Sequence, residues 1–251
     1  MIDVVLAAGY ATRLYPLTAD FPKPLLRVGG RTLLDRLLAE TDARPAVTRH
    51  VIVTNHRFVH HFEQWRAQVR LTRPVEVLDD GSVSNETRLG AVRDLLLAVN
   101  SLDLQDDLLV AAADNVLDFP LEGFAGFFAE RQASVLMCGY EPSVEALQRT
   151  GVAVLDDDGR VLRLEEKPQV PSSHWAVPPF YIYARKDLPL ICGALEGGCG
   201  SDAPGHLARY VAAHSAMYAW KMPGRRYDIG NMDSYLQADA LFSGREGEIK
   251  E

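Results

Sequence analysis

The sequence predicts an α/β protein with a Rossmann-like, mostly parallel mixed sheet and helices on both faces. Short apolar runs of strand length alternate with amphipathic segments of helix length, and the apolar runs are continuous. Continuous apolar strands are typical of sheets that are covered on both faces, and such sheets bind ligands beyond the carboxyl ends of their strands. Hydrophobic residues make up 47% of the 251 residues, which is ordinary for a globular protein.

The alternation is regular over the first part of the chain. Strands are predicted over residues 3–7, 50–54, 75–78, 108–113 and 134–140, and helices near residues 32–43, 58–69, 86–99 and 121–131. This order is that of βαβ units, in which a helix connects two parallel strands.

After Gly151 the pattern changes, and the sheet is predicted to gain an antiparallel extension. Apolar runs over 151–155 and 161–164 flank Asp156-Asp157-Asp158-Gly159, which is typical of a hairpin turn. A further strand is predicted over 180–184, followed by a Gly-rich loop over 193–205. A single domain over residues 1–242 is the simplest organisation, with residues 243–251 as a flexible tail.

Composition excludes several classes of function. A formal charge of -8 disfavours non-specific binding to nucleic acid, which depends on many Lys and Arg side chains. Three cysteines without CxxC spacing indicate neither a disulfide framework nor a zinc site. No apolar run approaches the roughly 20 residues that cross a bilayer, and the first residues lack signal-peptide features. We therefore expect a cytoplasmic protein without membrane or nucleic-acid partners.

The first strand leads into the most informative segment, Leu6-Ala7-Ala8-Gly9-Tyr10-Ala11-Thr12-Arg13-Leu14, which Lys23-Pro24-Leu25-Leu26 follows. A turn of small residues lets backbone N–H groups approach an anion, while Thr12, Arg13 and Lys23 can supply hydrogen bonds and positive charge. It is not a Walker A loop, because GxxxxGK(S/T) is absent. It is also a poor dinucleotide fingerprint, because Ala11 and Leu14 stand where GxGxxG needs glycine. A lone LAAG is more often an ordinary tight turn.

The longer string resembles the signature of the sugar-1-phosphate nucleotidyltransferase family, which includes glucose-1-phosphate thymidylyltransferase. In that signature a Lys-Pro-Leu-Leu segment follows at the same spacing as Lys23-Pro24-Leu25-Leu26 does here. Such enzymes transfer a nucleoside monophosphate from a nucleoside triphosphate to a sugar-1-phosphate, and release pyrophosphate. The resemblance implies that Arg13 and Lys23 are catalytic and that Lys23 neutralises phosphate charge as pyrophosphate leaves. It implies a nucleotide site formed by Leu6, Ala8, Gly9, Thr12, Arg13, Asn85 and Gly90.

Ala11 departs from the family pattern, which usually has glycine in this position. A left-handed backbone angle is costly for alanine. Either the loop tolerates right-handed geometry here, or its contact with phosphate is altered.

Two acidic residues are candidates for a metal site. Asp114 ends the apolar run 108–113, and Asp228 follows Arg225-Arg226-Tyr227. Mg²⁺ prefers oxygen ligands and usually takes one or two protein carboxylates together with substrate phosphates. Alone, each acid is more often a cap or turn residue. The family resemblance implies that Asp114 and Asp228 bind Mg²⁺.

Glu165-Glu166-Lys167-Pro168 would ordinarily be a solvated charge cluster, but it resembles the family's EKP motif. In that motif the Glu binds sugar hydroxyls and the Lys holds the sugar phosphate. The resemblance implies that the antiparallel extension binds the sugar phosphate through Gly151, Glu166, Lys167, Val177 and Tyr181. Pro178-Pro179 replace the usual small pair in this region, and Asp202-Ala203-Pro204-Gly205 resembles a segment that lies over the sugar in nearer relatives.

Two other functions stay open. One is a cytidylyltransferase that acts on phosphocholine or another non-sugar phosphate, and the other is a catalytically inactive nucleotide-sensing homologue. Retention of Lys23, Asp114, Lys167 and Asp228 argues against the inactive homologue. Residues 85–90 lack the glutamine-led pattern of thymidylyltransferases, so the base stays open between a pyrimidine, which is favoured, and guanine. The sugar and the oligomeric state, including a homo-oligomer, are also left open.

Overall fold

The computed structural model describes residues 1–247, and the chain divides into two compact units. Unit 1 comprises Met1–Val4, Leu89–Ala111 and Leu121–Pro223. Unit 2 comprises Val5–Arg88, Ala112–Pro120 and the chain from Gly224 onward. The single domain predicted over residues 1–242 stays a prediction.

Strands and helices are interspersed along the chain. The strands are β1 (Ile2–Leu6), β2 (Arg27–Val28), β3 (Arg31–Thr32), β4 (Arg49–Thr54), β5 (Val75–Asp79), β6 (Leu108–Ala112), β7 (Asn115–Leu117), β8 (Ser134–Tyr140), β9 (Gly151–Leu155), β10 (Val161–Glu166), β11 (Trp175–Val177), β12 (Phe180–Tyr183), β13 (Met217–Lys221) and β14 (Arg226–Asp228). The helices are α1 (Leu33–Asp42), α2 (Val59–Arg66), α3 (Ala91–Ser101), α4 (Glu122–Arg131), α5 (Val144–Leu147), α6 (Leu188–Cys192), α7 (Pro204–His214) and α8 (Met232–Gly247). The predicted α/β class is confirmed.

Unit 2 contains the parallel βαβ part of the fold. β4 pairs in parallel with β5, from His50 opposite Val75 to Thr54 opposite Asp79. Helix α1 begins after Thr32, whose Oγ1 accepts a hydrogen bond from the Asp35 N–H at 2.9 Å. This N-cap explains why the helix starts one residue after the predicted position.

Unit 1 contains the antiparallel strands. Their order is β10-β9-β11-β8-β12-β6, and β13 pairs in parallel with β8. The predicted hairpin is confirmed, since β9 and β10 are antiparallel from Val161 opposite Leu155 to Glu166 opposite Gly151.

One predicted helix begins later than expected. The pattern predicts a helix near residues 86–99, but α3 starts at Ala91, because Gly90 has a φ of 92° and residues 84–87 form a turn. The Thr87 hydroxyl holds this turn by accepting from the N–H groups of Val83 and Ser84.

Helix α8, which the sequence pattern did not predict, packs on β2 and the turn that follows it. The Tyr235 hydroxyl donates to the Arg27 carbonyl at 2.9 Å, and the Gly29 N–H donates to Asp239 Oδ1 at 2.8 Å. Phe242 is buried in a cluster with Leu14, Leu26, Val28, Leu33, Val116, Ile229 and Ala238. Helix α8 extends to Gly247, and residues 248–251 of the predicted tail lie outside the described residues.

No helix among residues 1–247 combines the length and the apolar character that a membrane span requires.

Replacing Phe242 by alanine is expected to destabilise the protein by about 3–5 kcal/mol, because a buried aromatic ring leaves a cavity. The ring packs edge-on against Tyr227 and beneath the guanidinium of Arg36. Urea unfolding measures the change. Leu236→Ala, at a side chain 56% exposed on the same helix, is the control and should cost little. Equal losses for both variants would contradict this packing.

Candidate functional site

The predicted phosphate loop follows β1 and is held from outside by hydrogen bonds. Asn55, beyond the end of β4, donates from Nδ2 to the Ala8 carbonyl at 3.0 Å. Thr18 Oγ1 donates to the Ala11 carbonyl at 2.9 Å. In the described part of the chain, the backbone N–H groups of Gly9 and Ala11 have no protein acceptor. A fixed loop with free N–H groups is suited to binding an anion.

Ala11 adopts the left-handed conformation, with φ 47° and ψ 41°. The alternative of a right-handed backbone at this residue is therefore wrong. Such a conformation costs alanine roughly 1–2 kcal/mol. The Ala11 carbonyl accepts hydrogen bonds from the Leu14 N–H as well as from Thr18, and the methyl group packs against the cluster around Phe242. These contacts offset the backbone strain.

Thr12 and Arg13 follow Ala11 in a short 3-10 helix, Thr12–Leu14, and both side chains are exposed. Leu6 is the last residue of β1, and Ala8 is buried beneath the loop.

The two predicted metal aspartates are brought together by a pair of short strands in unit 2. β7 and β14 are antiparallel, with Asp228 opposite Asn115. The Ile229 N–H donates to the Asp114 carbonyl at 3.0 Å, which extends this pairing by one step. The register thus places Asp228 beside Asp114, although 114 positions separate them in the sequence.

Lys23 supplies the nearest positive charge to Asp114. Its Nζ lies 2.9 Å from Asp114 Oδ2, and only 11% of the lysine side chain is exposed. Lys23 opens a 3-10 helix, Lys23–Leu25, whose backbone is closed by the Leu26 N–H bonding to the Lys23 carbonyl. The structure therefore joins the predicted catalytic lysine and a predicted metal ligand in one ion pair.

Asp228 lies in a field of mixed charge. Loss of hydration raises its pKa, and the negative charge of Asp114 raises it further, although 53% of the side chain surface is accessible. The positive charges of Arg226, Lys23 and Arg13 oppose this rise. Two carboxylates that repel each other will bind an added cation favourably.

This cluster suits a cation that also has ligands from a substrate. Among residues 1–247, no group of three or more His, Cys, Asp or Glu side chains could hold a metal ion. Asp114 and Asp228 are two carboxylates, which is the number Mg²⁺ commonly takes from a protein when phosphates and water complete its coordination. The donor set therefore fits a divalent cation that is bound together with a polyphosphate.

In unit 1, four of the five predicted sugar-phosphate residues converge. Glu166 pairs with Gly151, and Gly151 also pairs with Val177 on β11. The Lys167 N–H donates to the Thr150 carbonyl, and Lys167 Nζ lies 3.9 Å from Glu166 Oε1. Only 10% of the Glu166 side chain is exposed, against 56% of Lys167. The carboxylate is enclosed while the ammonium group reaches solvent.

Tyr181, the fifth residue, is buried on β12 opposite Leu136 and Val110, and its ring stacks on Tyr183. The Pro178-Pro179 pair connects β11 to β12, and the Phe180 N–H bonds to the Pro178 carbonyl at 2.8 Å.

The two predicted base-site residues lie in different units. Asn85 is in the turn before α3 in unit 2, and its carbonyl accepts from Arg88 Nη1 at 2.9 Å. Gly90 precedes α3 in unit 1.

A sequence model of the nucleotidyl transferase family matches residues 2–243. The chain belongs to the nucleotidyl transferase family. The match includes every residue assigned above to the phosphate loop, the carboxylate pair and the Glu166–Lys167 region.

Curated relatives are about one quarter identical to the chain over the aligned residues. Mannose-1-phosphate guanylyltransferase catalytic subunit beta of Danio rerio is 28% identical over 248 residues, which is 96% of this chain and 64% of that protein. The bifunctional protein GlmU of Methanocaldococcus jannaschii is 26% identical over 261 residues, or 100% of this chain and 58% of that protein. The chain thus spans about three fifths of the length of these relatives.

Solved structures show the same fold. A UDP-glucose pyrophosphorylase complexed with UDP-glucose superposes with a TM-score of 0.82 at 20% identity, covering 97% of this chain and 98% of that chain. The Rossmann-like architecture predicted from the sequence is confirmed as that of nucleotidyl transferases.

Two polar residues of the carboxylate cluster were missed by the sequence reasoning. Arg226 Nη1 donates to Asn115 Oδ1 at 2.8 Å, and Asn115 Nδ2 donates to Asp114 Oδ1 at 2.6 Å. This chain of hydrogen bonds orients Asp114. Asn115 and Arg226 lie one and two residues from the two aspartates, and this closeness in the sequence could have indicated them. The sequence alone does not show which of Arg225 and Arg226 contacts Asn115.

Glu166→Gln is expected to become more stable relative to wild type as the pH rises from about 4 to 7. Burial raises the pKa of Glu166; Lys167, His206 and Arg209 lower it, and Asp202 raises it. Because the folded pKa exceeds the unfolded one, the stabilisation from the bound proton is present at low pH and is lost as the pH rises through the folded pKa. Glutamine does not titrate and escapes this loss.

Urea unfolding of both proteins at several pH values measures the effect. Glu130→Gln, which makes the same change at an exposed position on α4, is the matched control. A stability difference that stays flat or falls with pH would contradict the burial of Glu166.

Proposed function

We propose that this protein transfers a nucleoside monophosphate from a nucleoside triphosphate to a sugar-1-phosphate, giving an NDP-sugar and pyrophosphate, in a reaction that requires Mg²⁺. The observation that carries the proposal is the cluster of Arg13, Lys23, Asp114 and Asp228 beside a loop with free N–H groups. A family relative that is named a mannose-1-phosphate guanylyltransferase supports the sugar phosphate as acceptor.

In this proposal the acceptor is its own nucleophile. A phosphate monoester has a second pKa near 6 and is largely a dianion at neutral pH, so no general base is needed. The protein must instead align two anions that repel each other and neutralise charge on the leaving pyrophosphate. Arg13 and Lys23 would hold the triphosphate, and Lys167 the phosphate of the sugar.

Asp114 and Asp228 would hold Mg²⁺, which supplies positive charge to the phosphate oxygens when bound. The ion pair with Asp114 also fixes the position of the Lys23 side chain. Its ammonium group is fixed close to the carboxylate, so a phosphate arriving at the metal site finds a positioned donor at short range. Little of the lysine's conformational freedom remains to be lost on binding.

The Glu166 carboxylate would accept hydrogen bonds from sugar hydroxyls. Its enclosure favours this role, since hydrogen bonds to a charged acceptor gain strength where water is excluded. We therefore assign Gly151, Glu166, Lys167 and Val177 to binding of the acceptor. Tyr181 stays a prediction for the same site. Leu6, Ala8, Gly9, Thr12, Asn85 and Gly90 stay predictions for the nucleotide. A cytoplasmic location, the absence of membrane and nucleic-acid partners, and assembly into a homo-oligomer also stay predictions.

The direct experiment incubates the protein with Mg²⁺, each of dTTP, UTP, CTP and GTP, and a panel of sugar-1-phosphates, and measures pyrophosphate. Release with at least one pair is the expected result. Phosphocholine is included in the panel, because turnover with phosphocholine alone would favour the cytidylyltransferase alternative. No release with any pair would favour the catalytically inactive homologue.

Lys23→Ala and Asp114→Ala are each expected to lower turnover on the order of 10²- to 10³-fold, by analogy with the loss of a charge-stabilising donor in other enzymes. Lys23→Ala should remain folded, because 37% of the Asp114 side chain is exposed and water can solvate the carboxylate that remains. Asp114→Ala should remain folded because the Lys23 ammonium keeps the attraction of Asp228. Lys186→Ala and Asp157→Ala, at exposed positions, are the matched controls. Normal pyrophosphate release by either site variant would reject the assignment.

Lys167→Ala should raise the KM for the sugar phosphate by about 10-fold or more, because a charged hydrogen bond is worth roughly 1.5–3 kcal/mol. The KM for the triphosphate should change little. Steady-state kinetics with each substrate varied in turn separates the two effects. If only triphosphate use were weakened, the subsites would be assigned the wrong way round.

A further inference from the structure

The carboxylate of Glu166 lies against the first turn of α7, at a residue without a side chain. A Cβ on Gly205 would collide with Glu166 Oε2 and would lie 3.0 Å from its Cδ. A Cβ on Gly151 would lie 3.6 Å from the same oxygen, which is ordinary van der Waals contact. Of these two glycines, only Gly205 must lack a Cβ for the carboxylate to keep its position.

The backbone at Gly205 does not itself require glycine. The residue follows Pro204 in α7 and its φ lies outside the positive range. Glycine is unfavourable in a helix relative to alanine, because it loses more backbone freedom on folding. Helix formation thus favours alanine at this position, and the space taken by Glu166 favours glycine.

The start of α7 is also unable to move away from Glu166 easily. The carbonyl groups of Ser201 and Asp202 accept hydrogen bonds from the Val92 and Ala91 N–H groups, at 3.0 and 2.9 Å. A Cβ on Gly90 would meet the Asp202 Cα at 2.9 Å, so the two backbones are in close contact. A methyl group at residue 205 would therefore displace the flexible carboxylate rather than the helix.

We propose that Gly205 is a positioning residue, which sets where the Glu166 carboxylate lies and so how it meets the hydroxyl groups of the acceptor. This inference rests on the proposed function for its kinetic consequence, but the contact between the two residues does not. Gly205 itself touches no reacting atom. Its effect on the acceptor is exerted through Glu166.

Gly205→Ala is the test. We expect the KM for the sugar-1-phosphate that the wild type uses to rise about 10-fold or more, as for loss of a charged hydrogen bond. The KM for the triphosphate should stay within about twofold, and the Tm should be unchanged or higher, because alanine favours the helix. A lower Tm with both KM values raised together would indicate general damage and would overturn the proposal. An unchanged KM for the sugar phosphate would overturn it as well.

Gly126→Ala is the matched control. Gly126 lies in α4, is exposed, and has no atom within 4 Å of the place its Cβ would take. This variant should also favour its helix, and it should leave both KM values unchanged. A similar loss of sugar-phosphate affinity in Gly126→Ala would mean that stiffening any helix causes the effect, and would overturn the role of Gly205.

A double-mutant cycle with Glu166→Asp tests the contact without reference to activity. The shorter carboxylate leaves room for the methyl group, so Gly205→Ala should raise Tm more in the Glu166→Asp protein than in the wild type. Equal changes in the two backgrounds would overturn the proposal. If the wild type released no pyrophosphate with any substrate pair, the proposed function would fail, while this cycle would still decide whether Gly205 positions Glu166.

Discussion

The antiparallel pairing of β7 with β14 is the constraint on which the carboxylate cluster depends. Each strand has three residues, yet together they place Asp228 beside Asp114 and Arg226 beside Asn115. The pairing opposes electrostatics, because it brings two like charges together. Apolar packing from Val116 and Ile229, both buried in the cluster around Phe242, offsets that repulsion, and the ion pair with Lys23 reduces it.

The sequence predicted the long strands and helices well because their signal is local. Each of β4, β6 and β8 contains a continuous apolar run, at residues 51–53, 108–112 and 135–138, which is typical of strands that are buried on both faces. β7, β11 and β14 are three residues long and show no periodicity, so their pairing depends on partners far along the chain. Asp114 could be identified from the strand that precedes it, whereas its proximity to Asp228 was available only from the family resemblance.

The contacts that orient the candidate residues were least accessible to sequence reasoning. Arg225 and Arg226 are adjacent residues of the same type, but it is the Arg226 guanidinium that donates to Asn115, while the backbone N–H of Arg225 donates to Asp118. From the sequence, Gly205 is likewise only a residue near the start of a helix. Its importance is visible only from the position of Glu166, which is 39 residues earlier in the chain.

The phosphate loop and the Glu166–Lys167 turn each contain a strained, left-handed residue that does not end a helix. Among residues 1–247, the non-glycine residues with positive φ are Ala11, Asp103, Gln132 and Lys167. Gln132 is the C-cap of α4 and Asp103 follows the C-cap of α3, where left-handed residues commonly end helices. Ala11 and Lys167 end no helix: Ala11 precedes the 3-10 helix Thr12–Leu14 and its carbonyl accepts from the Leu14 N–H, while the Lys167 N–H donates to the Thr150 carbonyl. Strained backbone away from the C-terminal ends of helices is concentrated at binding sites, where the surrounding structure fixes it. It therefore supports a binding role for the phosphate loop and for the Glu166–Lys167 turn, independently of their side chains.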